Sequence, residues 1–96
     1  MNQWHEQIIN AIKSLKLLTI VYEYERRTIE PYVYGRLSDN QDVLRAYQTS
    51  GMNPGWRLFK IEQIQSLQES GDNFLEPRHD YREHDAGMEE VYYQFH

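Results

Sequence analysis

The 96-residue chain contains no cysteine, which excludes disulfide bonds and any function that depends on a thiolate. It also lacks a long apolar run, because the longest one, from Leu17 to Tyr22, is interrupted by Thr19 and is far too short to cross a bilayer. Residues 1–6 lack the basic start and apolar stretch of a signal peptide. These absences predict a cytoplasmic protein with no membrane partner.

Motifs of catalysis are missing as well. The chain has no Gly-x-Ser-x-Gly elbow, no glycine-rich phosphate loop and no serine with a histidine or acid partner at motif level. Metal-capable side chains cluster between His79 and Asp85, but they do not form a His-Glu-x-x-His motif and lack a third ligand. We therefore predict a protein that is not an enzyme, with no catalytic residue, no metal and no cofactor.

The charge is unevenly distributed. The net charge of −5 argues against a general nucleic-acid coat. Residues up to Arg78 have a balance of −1, whereas those from His79 onward have a balance of −4. The sequence thus predicts a nearly neutral domain at 1–78, able to carry a local basic patch, and an acidic, aromatic tail at 79–96. Because the tail contains Tyr92, Tyr93 and Phe95, we expect it to pack on the domain or on a partner.

Hydrophobic periodicity predicts one helix followed by short strands. Helical spacing of apolar residues favours a helix over 3–16, with Asn2 as a plausible N-cap, and strand-like alternation then begins. Pro31 belongs near a strand start, at a bulge or at an edge, since it has no N–H to donate. A turn is expected at Glu25-Arg26-Arg27 and a short helix over 86–95. The predicted strands span 18–25, 29–37, 43–49, 56–61 and 64–68.

This order predicts a mainly β fold with an N-terminal helix, of the α+β type. A small, strongly curved antiparallel sheet closes most naturally as an SH3-like or Sm-like partly open barrel, which leaves fewer exposed edges. Trp56 and Phe59 fall on opposite faces of the fourth predicted strand, so at least one of them lies outside the main core.

Several short motifs, in this order, resemble the bacterial WYL domain. They are Thr19-Ile20-Val21-Tyr22, Arg27-Thr28-Ile29-Glu30-Pro31, Leu44-Arg45-Ala46 and the frame Arg57-x-Phe59-x-Ile61-x-x-Ile64. Asp42-Val43-Leu44 keeps only the leucine of the family's Trp-Tyr-Leu, and the family's frequent N-terminal helix-turn-helix is absent. The resemblance implies a standalone Sm-like barrel that senses a ligand, with nucleotides or nucleic acids as the suspected ligands.

The candidate binding residues are basic and aromatic side chains on the predicted strands. Arg45 and Arg57 lie on consecutive strands and are expected to converge on phosphate, which suits the arginine fork. Tyrosine rings offer stacking faces for bases. Ion pairing with Glu23, Glu30 or Glu62 on a solvated sheet face is the competing interpretation for the arginines. The full candidate set is Tyr22, Arg36, Arg45, Tyr47, Gln48, Arg57 and Lys60.

Two functions follow from these residues. The first is a non-enzymatic, regulatory binding module for a nucleotide or single-stranded nucleic acid, in which Arg45 and Arg57 contact phosphate. The second is a structural or interaction module, in which Trp56, exposed strand edges and the aromatic tail build a homodimer or dock a partner protein.

Overall fold

The computed structural model describes residues 2–51, 53–81 and 87–96. A single helix, α1, precedes the strands, and a short 3-10 helix at Ile61–Gln63 joins the fourth strand to the fifth. The described chain is therefore mainly β with an N-terminal helix, as the periodicity predicts. The elements are α1 (His5–Lys13), β1 (Lys16–Tyr22), β2 (Glu25–Arg36), β3 (Asp42–Gln48), β4 (Gly55–Lys60), β5 (Ile64–Asn73) and β6 (Glu90–Gln94).

The turn between β1 and β2 lies earlier than expected. Tyr22 pairs with Glu25, so Glu23 and Tyr24 form a two-residue hairpin loop in place of the predicted turn at 25–27. Both loop residues have positive φ, 54° and 61°. A two-residue hairpin needs this left-handed geometry to match the twist of its strands. Composition did not reveal the turn because neither residue is the usual Gly or Asn.

The tail does not form the predicted helix. Glu90–Gln94 is strand β6, which pairs antiparallel with the last residues of β2, from Val33 to Arg36. That stretch of β2 can pair with β6 because β2 has 12 residues and β1, its neighbour on that side, has only seven. Gly35 permits the approach, since a Cβ there would collide with the Glu90 carbonyl oxygen and the Met88 sulfur. Ala86, the first residue of the predicted helix, lies outside the described residues.

The six strands form one antiparallel sheet in the order β4-β3-β2-β1-β5, with β6 beside β2 beyond the end of β1. The register between β2 and β3 shifts between Pro31 and Val33, so Pro31 sits at a bulge, one of its predicted settings. Strand β5 continues to Asn73, beyond the predicted end of the fifth strand at residue 68. Within the described residues β4 and β5 do not pair, and the sheet is not closed into a barrel.

Two apolar clusters bury the two faces of the sheet. On the first face, α1 inserts Ile8 and Ile12 over Leu18, Ile20 and other buried side chains. On the second face, Tyr32 and Val33 are covered by Phe74 and by side chains of the C-terminal segment. Residues Ile29 to Gly35 of β2 are consequently buried without a break, because both sides of the strand are covered. No helix among the described residues is long and apolar enough to cross a membrane.

Candidate binding surface

The predicted site residues separate onto the two faces of the sheet. In the register between β3 and β4, Arg45 pairs with Leu58, and Ala46 pairs with Arg57. Paired residues point to the same face and successive residues to opposite faces. Arg57 therefore shares the first face with Ala46, and Arg45 lies on the second. The expectation that these two arginines converge is wrong.

The second face brings together three of the predicted residues. Tyr47 pairs with Trp56 and Val43 with Lys60, so Arg45, Tyr47 and Lys60 project from the same side of β3 and β4. The rings of Tyr47 and Trp56 meet edge to face, with centroids 5.5 Å apart. Lys60 is exposed and Arg45 half-buried. Two cations and an aromatic pair thus share this face, with Trp56 at one end of β4 and Lys60 at the other.

Arg78 joins this patch from the segment that follows β5. Its guanidinium carbon lies 3.6 Å from the centroid of the Tyr47 ring. Its Nε donates to Glu30 Oε1 at 3.1 Å and its Nη2 contacts Oε2 at 3.4 Å. The hydroxyl of Tyr32 donates to the same Glu30 Oε1 at 2.8 Å and accepts from the Arg78 backbone N–H at 3.0 Å. The buried Glu30 carboxylate therefore forms an ion pair with Arg78 and not with any of the predicted site arginines.

This network changes the ionisation of Tyr32 and Asp80. Burial, followed by the hydrogen bond to Glu30, raises the pKa of Tyr32 well above its ordinary value. Trp56 lies against Tyr32, with ring centroids 5.1 Å apart, and donates from Nε1 to Asp80 Oδ2 at 3.0 Å. That hydrogen bond lowers the pKa of the exposed Asp80 carboxyl. Trp56 therefore faces the second cluster while Phe59 belongs to the first, so their predicted separation is confirmed.

The first face holds Tyr22 and Gln48, but both serve the fold. Tyr22 is buried, with its ring edge-on to Phe59, and its hydroxyl accepts from the Lys60 backbone N–H and donates to Gln63. Gln48 is 1% exposed, and its Oε1 accepts from Arg27 Nη1 at 3.1 Å. Neither side chain has a free surface on which a ligand base would stack.

Arg27 is the hub of this first-face network. Its Nη2 donates a hydrogen bond to Glu23 Oε1 at 2.9 Å. Its Nε lies 3.1 Å from Glu25 Oε1 without a well-directed hydrogen bond, so the contact between Arg27 and Glu25 is an ion pair. The guanidinium also covers the ring of Tyr22, 5.4 Å from its centroid. Two carboxylates neutralise the cation, so this part of the first face offers little positive charge to a ligand.

Arg57 and Arg36 lie away from the second-face patch. Arg57 donates to the backbone carbonyls of Trp56, at 3.1 Å, and Asn53. Arg36, at the far end of β2, donates to Asn40 at 3.1 Å and to Glu90 at 3.2 Å. Arg36 is thus tied to the C-terminal strand, and it pairs with Asp42, which lies on the opposite face of β3 from Arg45.

Sequence reasoning missed the contribution of Glu30, Arg78 and Arg27. Glu30 and Arg78 are 48 positions apart, and only the folded chain brings them together. The one signal for them is the competing interpretation that arginines pair with Glu30, which named the carboxylate but not Arg78. The predicted metal-capable segment from His79 to Asp85 lies mostly outside the described residues.

Comparisons with protein-family models, with curated proteins and with solved structures found no match to this chain. The candidate surface therefore rests on the residues and contacts described above.

Proposed function

We propose that this protein is a non-enzymatic, regulatory binding module that takes an anionic ligand, a nucleotide or single-stranded nucleic acid, on the second face of its sheet. One observation carries the proposal: Arg45 and Lys60 project from the same face of β3 and β4, beside the Tyr47–Trp56 ring pair. Cations that track phosphates next to aromatic rings that stack bases are the usual makeup of a single-strand binding surface.

The charges favour the second face over the first. On the second face the Glu30 carboxylate is taken up by Arg78, the Asp80 carboxylate lies at the Trp56 end of β4, and Lys60 is exposed at the other end. On the first face Arg27 is offset by Glu23 and Glu25. An anion would therefore be attracted to the β3–β4 part of the second face, where Lys60 is exposed.

The strand order supports the barrel architecture that this proposal includes. The path β4-β3-β2-β1-β5, with a helix before β1 and a 3-10 helix between β4 and β5, fits a sheet that curls into an Sm-like, SH3-like partly open barrel. We include in the proposal that this module is a WYL-type ligand sensor and that it acts in the cytoplasm, where nucleotides are available. In this version Arg45, Tyr47 and Lys60 contact the ligand, and Arg57 does not.

A docking function is the second candidate, and one observation favours it. Strand β4 ends the sheet path, and its outer edge has no pairing strand among the described residues. An open edge is a template for a strand of another chain, including a second copy of this one. Trp56, on the same strand, would then belong to the interface.

Binding can be tested by the fluorescence of Trp56 in a Trp4→Phe background, in which Trp56 is the only tryptophan. The probes are short single-stranded DNA and RNA oligomers and a set of nucleotides, titrated at several salt concentrations. The variants Arg45→Gln and Lys60→Gln each remove one charge from the patch. The matched control, Arg26→Gln, removes one exposed charge from the start of β2.

We expect saturable binding that weakens as salt rises, with a slope of log K against log salt smaller by about 0.7 in each patch variant if the ligand is a single strand. Arg26→Gln and Arg57→Gln should leave the affinity nearly unchanged. An affinity and a salt slope that are unchanged in both patch variants would refute the site. If no probe binds and the chain sediments as a dimer, the docking function replaces the first proposal.

A further inference from the structure

The segment that follows β5 lies across the aromatic part of the second face. Arg78 covers the ring of Tyr47, and the carboxylate of Asp80 accepts a hydrogen bond from Trp56 Nε1 at 3.0 Å. Both rings belong to the surface on which the proposed ligand would lie. The chain itself therefore occupies groups that this ligand would use.

The carboxylate of Asp80 stands where a phosphate oxygen would fit. Like a phosphate oxygen, it is a negatively charged acceptor, and the indole N–H is a donor only. The hydrogen bond from Trp56, followed by the positive charges of His79 and Arg78, lowers the pKa of Asp80. A lowered carboxyl pKa means that the surroundings stabilise negative charge at this point. A phosphate oxygen placed there would be stabilised by Trp56 and Arg78 in the same way.

The hydrogen bond between Asp80 and Trp56 is open to solvent. His79 and Asp80 are exposed, and among the described residues 75–80 pair with no strand. A phosphate group can therefore approach the indole N–H from solution. An exposed side chain changes rotamer within picoseconds to nanoseconds, so Asp80 can turn away from Trp56 without any unfolding.

The backbone on either side of Asp80 is anchored, so only its side chain has to move. The Arg78 guanidinium pairs with the buried Glu30 carboxylate at 3.1 Å, and the Arg78 N–H donates to the Tyr32 hydroxyl at 3.0 Å. On the other side, the ring of Tyr81 stacks on that of Tyr32, with centroids 4.9 Å apart. Arg78 would stay in place when Asp80 turns away, and its charge would remain beside the site.

We propose that the indole N–H of Trp56 is a further phosphate-binding donor of the second face and that Asp80 is its internal competitor. A phosphate of the ligand would displace the Asp80 carboxylate and take over its hydrogen bond. This role of Trp56 rests on the proposed function and adds a contact at the opposite end of β4 from Lys60. Because the ligand binds only the fraction of molecules in which Asp80 has turned away, the competitor lowers the apparent affinity.

Fluorescence anisotropy tests the competition with two probes, a short fluorescein-labelled strand of deoxythymidines and ATP labelled on its ribose. Asp80→Ala removes the competitor and should tighten binding about fivefold, the value of one hydrogen bond of ordinary strength. Asp80→Asn loses the charge but keeps an oxygen acceptor, so its gain should be smaller. Glu76→Gln, which removes a charge from another exposed residue of the same segment, is the control and should bind like wild type.

A double-mutant cycle separates competition for the indole N–H from a general loss of repulsion. Trp56→Phe keeps an aromatic ring and removes the donor, so Asp80→Ala should bring no gain in that background. In the Trp4→Phe background the indole N–H resonance of Trp56 reports the contact directly by NMR. It should shift in Asp80→Ala, and it should shift saturably when the deoxythymidine strand is added to the wild-type site.

The outcomes distinguish this role of Trp56 from the proposed function. If Arg45→Gln and Lys60→Gln weaken binding while Asp80→Ala binds like wild type, the surface stands and the competitor is refuted. A gain that persists in Trp56→Phe, or an equal gain in Glu76→Gln, would also refute it, since charge alone would then explain the effect. If neither the wild type nor any variant binds either probe, both proposals are wrong.

Discussion

The guanidinium group of Arg78 lies over the ring of Tyr47, 3.6 Å from its centroid, while the same side chain neutralises the buried carboxylate of Glu30. We predict that Arg78→Met lowers the free energy of unfolding by about 2 kcal/mol, because Glu30 is left buried with the Tyr32 hydroxyl as its remaining side-chain donor. The value is below that of a fully buried pair because the Arg78 side chain is 37% exposed. Urea denaturation measures the change.

A double-mutant cycle separates this ion pair from the packing of Arg78 on Tyr47. Once Glu30→Gln has removed the charge, Arg78→Met should cost clearly less than it does in the wild-type chain. Equal costs in the two backgrounds would show that the stacking on Tyr47, and not the ion pair, holds the segment in place.

The hydroxyl of Tyr22 supports the corner between β4 and the 3-10 helix. It accepts from the Lys60 backbone N–H at 3.1 Å and donates to Gln63 at 3.2 Å. Tyr22→Phe should therefore lower the free energy of unfolding by about 1–2 kcal/mol, since a backbone donor loses its partner while the ring stays packed. Thermal unfolding monitored by circular dichroism checks this value. Tyr24→Phe, at a fully solvated ring, is the control and should be neutral.

Gly35 is the position at which the sheet and the C-terminal segment come closest. Gly35→Ala places a Cβ against the Glu90 carbonyl and the Met88 sulfur, and we expect a loss of about 1–3 kcal/mol from overpacking. Hydrogen exchange should show that protection is lost mainly at residues 90–94. Gly71→Ala meets open space at a φ of +96°, so it should show only backbone strain and leave β6 protected. Unchanged exchange at β6 in Gly35→Ala would contradict the close approach.

Alkaline pH should destabilise the fold through its tyrosines. The pKa of Tyr92 is raised from 10.0 to about 12 by its hydrogen bond to Asp42, and burial raises the pKa of Tyr34 as well. The unfolded chain releases these protons near pH 10, whereas the folded chain retains them. The stability contributed by Tyr92 is therefore intact below about pH 10 and is lost as the pH rises through about 12.

Urea unfolding between about pH 9 and pH 12 measures this loss. Tyr92→Phe should flatten the decline, and Asp42→Asn should lower the pKa of Tyr92 in an absorbance titration at the phenolate band. A decline as steep in Tyr92→Phe as in the wild type would assign it to other groups.

Periodicity alone gave the helix and the first five strands in order, because the apolar residues of each segment recur at helical or alternating spacing. It failed at β6, where Met88, Val91, Tyr92 and Phe95 recur at helical spacing although the strand places Val91 and Tyr92 against opposite clusters. The partner of β6 is more than 50 residues away along the chain, and no local pattern reports it.

The placement of Arg45 and Arg57 on opposite faces could in principle be predicted from the sequence. Arg57 and Phe59 are two residues apart, as are Arg45 and Tyr47, so alternation within each strand assigns each arginine to the face of its neighbour. The missing information was which of those neighbours is core, and only the packed structure supplies it. The association of Glu30, Tyr47 and Arg78 required three segments to meet, which no strand pattern predicts.

The mismatch in length between β1 and β2 affects how readily the protein aggregates. Beyond the end of β1, the backbone of β2 from Val33 to Arg36 would present unpaired N–H and C=O groups next to apolar side chains if β6 were not paired with it. The C-terminal strand therefore acts as a guard against edge-to-edge aggregation. If a protease removed the last ten residues, the remaining chains would associate through the exposed edge of β2. Light scattering would then rise with protein concentration.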